Sequence, residues 1–221
     1  MRLRLLLPLL VLSLAACGGD EEPESSGDGA ATTEESTTSG DCETVETPDP
    51  KPDGGQTAPD GALAAGTYAL VVETSCGEFT IELDPKLSPK TSASLVSLAE
   101  AGFFDGTIFH RVVPGFVIQG GDPTGTGTGG PGYKTVDVPP AGTTYTAGVV
   151  AMAKAGNELP GTSGSQFFVV TAPDAGLPPD YAVVGAVGDG METVSAIEAL
   201  GTGDGPPTQP VMIEKVTVDK S

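Results

Sequence analysis

The chain has 221 residues, with 30 acidic against 10 basic side chains and a net charge of −20. That balance argues against nucleic-acid binding and against electrostatic attachment to anionic lipid, and it favours solubility. One histidine supplies no ligand set for zinc and a single imidazole as base for a serine hydrolase, so both chemistries are disfavoured from the outset.

Arg2 and Arg4 precede an apolar run at residues 5–16, "LLLPLLVLSLAA", of signal-peptide length. It is shorter than the ~20 residues that a membrane-spanning helix needs. The run ends in Leu14-Ala15-Ala16-Cys17-Gly18, which resembles the bacterial lipobox. The resemblance implies removal of residues 1–16, lipidation of Cys17 and an extracytoplasmic protein anchored to the cell membrane. Residues 17–61 then read as a disordered acidic tether. Its residues 18–60 carry 13 Asp and Glu against Lys51, with Val45 the one large apolar side chain. So little apolar surface cannot offset the entropy of ordering. Of the −22 left after cleavage, the tether carries −12 and the remainder −10. With Cys17 assigned to lipid, Cys42 and Cys76 are an even pair in an oxidising location. A disulfide between them would pin the tether to the domain; two free thiols are the alternative.

Residues 62–221 suffice for one domain. Period-2 alternation marks strands in "TYALVVET" and "EFTIELD", joined by a turn at Ser75-Cys76-Gly77. Further strand-like runs are "GTIFHRVV", "GFVIQGGD", "AGVVAMAK", "SQFFVVTA", "AVVGAVG" and "VMIEKVTVDK". About eight strands at such spacings suit a closed all-β architecture. Two helices interrupt them. Ser88 is placed to cap the first, with Pro89 at its first position, Leu95, Val96, Leu98 and Ala99 as its apolar face and Gly102 at its end. In the second, Met191, Val194, Ile197 and Leu200 recur every third residue before Gly201.

The glycine-rich loop "DPTGTGTGGPGYK" contains a formal G-x-G-x-x-G at residues 125–130. Pro131, Gly132 and Tyr133 follow it in place of a helix, which removes the dinucleotide reading. Its glycines instead suit a loop where backbone approaches a ligand closely. "GTSGSQ" misses the nucleophile motif G-x-S-x-G because residue 165 is serine.

"GFFDGTIFHRVVPGFVIQGGDPTGTGTGGPGY" and "AMAKAGNELPGTSGSQFFVV" together resemble the cyclophilin family of peptidyl-prolyl isomerases, from about Tyr68 to the C-terminus. The resemblance implies a mostly β fold, a closed eight-stranded antiparallel β-barrel capped by two α-helices. It implies isomerisation of X–Pro bonds, without metal or cofactor, assisting the folding of exported proteins. Its partners would be proline-containing segments of those proteins, met by a monomer held to the membrane through its lipid. A proline-peptide binding module or chaperone without catalysis is the alternative on the same fold.

Carried over by position, the resemblance makes Arg111 the catalytic arginine, with Gln119 bonding the substrate backbone and orienting Arg111. Phe116, Val117 and Phe168 would wall the proline pocket. Ala153, Lys154 and Ala155 would pair with the extended peptide, followed by Gln166. Leu177 keeps the family's leucine, Tyr181 stands where many relatives have histidine, and Lys154 where many have asparagine. Gly176 replaces a common tryptophan, so the indole contribution to binding cyclosporin-type macrocycles is missing. His110 is the conspicuous neighbour of Arg111. Strand alternation would turn it to the opposite face, and the reaction needs no proton transfer, so it is expected to be a structural histidine hydrogen-bonded beneath the site, with a direct contribution as the alternative.

Overall fold

The structure, a computed structural model, describes residues 42–221. The signal segment 1–16, Cys17 and the first part of the tether lie outside the described residues.

β1 (Tyr68–Thr74) and β2 (Gly77–Leu83) form the expected hairpin, closed at Thr74 and Gly77. Gly77 has φ +108°, a conformation that other residues adopt only with strain. In β1 the alternate residues Tyr68, Leu70, Val72 and Thr74 are buried, as its sequence pattern requires. α1 (Pro89–Glu100) follows. β3 (Thr107–Ile108) and β4 (Arg111–Val113) come from a single expected run, split at Phe109 and His110. Then come β5 (Val117–Gly120), β6 (Thr135–Val136), β7 (Val149–Met152), β8 (Thr162–Ser163), β9 (Phe167–Val170) and β10 (Val183–Asp189). α2 (Met191–Glu198) and β11 (Met212–Lys220) complete the described elements.

Nine strands form one antiparallel sheet in the order β3-β11-β1-β2-β10-β7-β9-β5-β4, and β6 with β8 forms a separate pair. The two edge strands are halves of one chain segment, so the sheet curls back towards its own beginning. Its ladder does not close. Across the seam a single isolated bridge joins Ile108 to Asp122. The expected closed eight-stranded barrel is therefore corrected to a curled nine-stranded sheet, open where Phe109 and His110 interrupt the strand that would have crossed it.

Inside the curl lies the main core, with Phe79, Phe104, Phe109 and Phe167 in tilted or edge-on contact at centroid distances of 6.2–6.3 Å. α1 buries Leu95, Val96, Leu98 and Ala99 against it, as expected. Its N-terminal cap differs. Ser88 makes no side-chain cap; its hydroxyl donates to the Val183 carbonyl at 2.6 Å. The buried Asp137 carboxylate instead accepts from the Thr91 N–H at 2.7 Å and the Thr91 hydroxyl at 2.8 Å. A cap needs an acceptor at the third helical N–H, and a carboxylate from elsewhere in the fold meets that need as well as the local serine. At the other end, Gly102 (φ +64°) donates to Ala99 and Phe103 to Leu98, the paired closure that a left-handed glycine permits. α2 seals its side of the sheet with Val194 and Ile197 fully buried.

The tether boundary also shifts. Residues 42–61, expected as part of a disordered tether that a Cys42–Cys76 disulfide would pin to the domain, run along the domain within the described residues, and the disulfide is present. Cys42 and Cys76 form a disulfide at the tip of the β1–β2 hairpin. Beside it the Glu43 N–H donates to the Ser75 carbonyl at 2.6 Å. Lys51 Nζ donates to the carbonyls of Gly102, Phe103 and Asp105 at 2.7–3.0 Å. Apolar area does not register this attachment, because the segment is held by a covalent bond and backbone hydrogen bonds. The cysteines are 34 residues apart, so chain-entropy reasoning assigns the cross-link about 3–4 kcal/mol. The Cys42→Ala/Cys76→Ala variant is expected to lose about 2–4 kcal/mol of unfolding free energy in urea titration. An unchanged midpoint would show that the link contributes nothing to stability.

Candidate active site

β4, β5, β9 and β7 lie side by side, and their registers set Arg111 opposite Gln119, Gln119 opposite Phe168, and Phe168 opposite Ala151. Directly opposed residues share a face of the sheet. The adjacent row, Val112, Ile118, Val169 and Val150, is fully buried on the other face, inside the curl. Alternation thus sends one set of side chains to the core and aims the other at the outer cleft.

On the outer face a second apolar cluster gathers Val117, Tyr145, Ala151 and Phe168, with Phe116, Ala153, Leu177 and Tyr181 packed against it. It brings together the three residues expected to wall the proline pocket, Phe116, Val117 and Phe168, and the further substrate-binding candidates Leu177 and Tyr181. Val117 and Phe168 are buried in its floor, while Phe116, Leu177 and Tyr181 are half-buried at its margin. The Phe168 and Tyr181 rings meet edge-on at 5.6 Å.

Arg111 stands beside this cluster, its guanidinium carbon 5.7 Å from the centre of the Phe116 ring. Its Nη1 donates to Gln119 Oε1 at 3.3 Å. Gln119 Nε2 donates to Gln166 Oε1 at 3.0 Å, and Gln166 Nε2 donates to the Gly129 carbonyl at 2.9 Å. A chain of amide hydrogen bonds therefore runs from the guanidinium to the glycine-rich loop. Gln119, Gln166, Gly127, Gly129, Lys134 and Lys154 border a cavity of about 280 Å³ next to the apolar cluster.

Of residues 153–155, Ala153 donates its N–H to Gln166 O and Ala155 donates its N–H to Glu158 Oε2, at 2.9 and 2.7 Å. Lys154 keeps both main-chain groups free of partners among the described residues, so peptide pairing through this stretch centres on it. Its ammonium lies 5.5 Å from the Tyr181 ring centre and donates to the Glu158 carbonyl.

Two residues escaped the sequence reading. Asp204 receives Arg111 Nε and Nη2 on its two carboxylate oxygens, at 2.5 and 3.0 Å. Hydrogen bonding to the guanidinium holds its carboxyl below the usual range. Nothing in "GTGDGPP" announces the pairing; it exists because Val112 and Gly205 bridge across 93 positions. Tyr145 is fully buried and accepts the Tyr181 N–H while donating to the Tyr181 carbonyl at 2.7 Å. A lone aromatic in a loop carries no periodicity by which to find it.

His110 lies within hydrogen-bond reach of Gln119 but departs from the expected facing. It does not face away from Arg111, because the strand is broken at this residue; its Nε2 lies 3.4 Å from Gln119 Nε2, beneath Gly127. Burial pushes the imidazole below its ordinary pKa of 6.5, with Asp122 opposing and Arg111 reinforcing the shift. A neutral ring with its lone pair on Nε2 accepts the second N–H of Gln119; an imidazolium would not. Among the described residues, no group of three or more His, Cys, Asp or Glu is placed to hold a metal ion.

A sequence profile of the cyclophilin-type peptidyl-prolyl cis-trans isomerases matches residues 69–218. Peptidyl-prolyl cis-trans isomerase B of Streptomyces anulatus is 42% identical over 178 residues, covering 71% of this chain and 99% of the relative. Peptidyl-prolyl cis-trans isomerase A of Mycobacterium tuberculosis is 41% identical, covering 71% of this chain and 93% of the relative. A crystal structure of a cyclophilin-type isomerase from Cryptosporidium parvum superimposes with a TM-score of 0.64 at 31% identity, covering 70% of this chain and 99% of its own. A second structure of that protein, determined in the presence of the dipeptide Ala-Pro, gives 0.63.

The His110 shift has a sign. The unfolded histidine takes up its proton as pH falls through about 6.5, before the folded one does, so native stability must fall below that pH. It levels off once the folded ring also protonates. His110→Gln removes this component; thermal midpoints from pH 7.5 down to 5 should fall further for the native chain than for the variant. Parallel curves would contradict a buried neutral imidazole.

Proposed function

This chain belongs to the cyclophilin-type peptidyl-prolyl cis-trans isomerases, and on that premise we propose that Arg111, oriented by Gln119 and Asp204, catalyses the rotation. Isomerisation of an X–Pro bond must break amide resonance, a barrier of ~18–20 kcal/mol. At the twisted state the prolyl nitrogen leaves conjugation and its lone pair becomes a hydrogen-bond acceptor. A guanidinium held at that point stabilises the twisted state more than the planar ground state, which is the condition for catalysis. Arginine keeps its charge at every working pH.

One charge-assisted hydrogen bond contributes roughly 1.5–3 kcal/mol, whereas an acceleration of ~10⁵ requires about 7 kcal/mol. The difference falls to the apolar cluster and the peptide-pairing edge. Phe116, Val117, Phe168 and Leu177 are suited to clamp the pyrrolidine ring while the amino-terminal side of the bond turns. Lys154 main-chain groups and Gln119 are suited to hold the flanking peptide. The observation that carries this reading is the register row that puts Arg111, Gln119 and Phe168 on one face beside that cluster.

Arg111→Ala is expected to lower kcat/KM on a proline tetrapeptide by a factor on the order of 10²–10³ with the fold retained. Asp204→Asn, at an exposed pair, should lose only about 2- to 5-fold. Native turnover in Arg111→Ala, measured by exchange NMR, would remove Arg111 from the mechanism.

We further propose that the enzyme acts outside the cytoplasm, lipid-anchored through Cys17, on exported proteins as they fold. Arg2, Arg4, the apolar run at residues 5–16 and the lipobox-like ending support this. So does the Cys42–Cys76 disulfide, a bond that persists in oxidising compartments. Metabolic labelling with a radioactive fatty acid should mark the native chain and not Cys17→Ala. Equal labelling of both, or none of the native chain, would overturn the anchor.

A further inference from the structure

The glycine-rich rim of the cleft is the least self-supporting part of the site. Between Pro123 and Tyr133 the chain forms no helix or strand, and Gly125, Gly127 and Gly132 have positive φ. Glycines lose the most conformational freedom on ordering, so such a rim needs holding from outside its own backbone. From the inner side the buried Asp122 carboxylate accepts the N–H groups of Thr124, Gly127 and Gly129.

From the outer side the holding comes from residues N-terminal to the family match. The Lys51 N–H donates to the Pro123 carbonyl at 2.8 Å, the Gly54 N–H to Gly130 at 2.9 Å and the Gln56 N–H to Pro131 at 3.0 Å. In return the Gly130 N–H donates to Asp53 Oδ1 at 2.9 Å. Gly130 is thus paired in both directions, like one rung of a ladder. The approach is close enough that a Cβ on Gly132 would lie 3.0 Å from Gly54 Cα. Pro48, Pro50 and Pro52 keep the segment extended, since each fixes its own φ and biases the residue before it away from helix. The disulfide at Cys42 and the Lys51 ammonium on three carbonyls anchor it to the domain.

The residue next to Gly130 matters for catalysis. The Gly129 carbonyl accepts from Gln166, which accepts from Gln119, which accepts from Arg111. Gly127 and Gly129 also border the 280 Å³ cavity beside the apolar cluster. We infer that residues 51–56 are a strap belonging to the active site, with Asp53 a positioning residue that fixes the glycine rim and, through Gly129 and Gln166, the grip on the peptide. The inference rests on the assignment of the site to Arg111 and Gln119, and its test separates the two.

Full-length native protein, Asp53→Ala, Asp53→Asn and Arg111→Ala are compared in turnover of a proline tetrapeptide and in amide exchange at Gly129 and Gly130. Removing one hydrogen bond should speed exchange at Gly130 and raise KM, each by about 2- to 10-fold, with kcat nearly unchanged. Asp53→Asn retains the Oδ1 acceptor and should restore both, and the thermal midpoint of either variant should stay near the native value. Faster exchange with unchanged KM would make the strap purely structural and overturn the inference. So would unchanged exchange, or failure of Asp53→Asn to rescue. Full turnover in Arg111→Ala would instead overturn the site assignment, leaving the exchange at Gly130 to report on the strap itself.

Discussion

Four strands in fixed register carry the rest of this molecule. Across β4, β5, β9 and β7 the row Val112, Ile118, Val169 and Val150 is sealed in the core, which obliges Arg111, Gln119, Phe168 and Ala151 to face outward. A slip of one residue would exchange the faces, burying a guanidinium and exposing a row of branched aliphatics. The desolvation of that charge and the lost apolar burial both oppose the slip, so core packing and the geometry of the candidate site are enforced by the same hydrogen-bonded ladder.

The outer face works by the contrast between a dry cluster and a polar chain. Tyr145, Phe168 and Tyr181 pack edge-on to one another or tilted, giving a rigid apolar surface without a tryptophan. Beside it, Arg111, Gln119 and Gln166 pass hydrogen bonds in one direction, from guanidinium to amide to amide to backbone. Each amide is thereby fixed in one orientation, because a flipped amide would set donor against donor. The pair with Asp204 holds the outward edge of the guanidinium, leaving its orientation determined from two sides. Since the Asp204 side chain is 68% exposed, that hold is weakened by solvent, and the amide chain is the firmer of the two.

Much of this was legible in the residues. All eight strand-like runs contributed strands, one of them split into β3 and β4, and both periodic segments became helices. The residues that the resemblance put around a proline pocket gather into one apolar cluster. What could not be read has specific causes. Ser88 has the local chemistry of a cap, but Asp137 reached the Thr91 N–H from 46 positions away. β6 and β8 are two residues each, too short for any period to register. The Phe109–His110 break left the sheet open and put His110 against Gln119, which strict alternation had forbidden.

The sequence by itself determined which side chains are apolar at which period, and hence the elements, the core and the residue types available for catalysis. It also determined the even cysteine pair and the acidic extension, since composition and covalent chemistry are local properties. Only the tertiary structure decided that Asp204 meets Arg111, that Tyr145 holds Tyr181, and that residues 42–61 lie along the domain. Those contacts join polar groups far apart in the chain. Hydrogen bonds of that kind depend on where the backbone brings two atoms, and no periodicity in either partner records it.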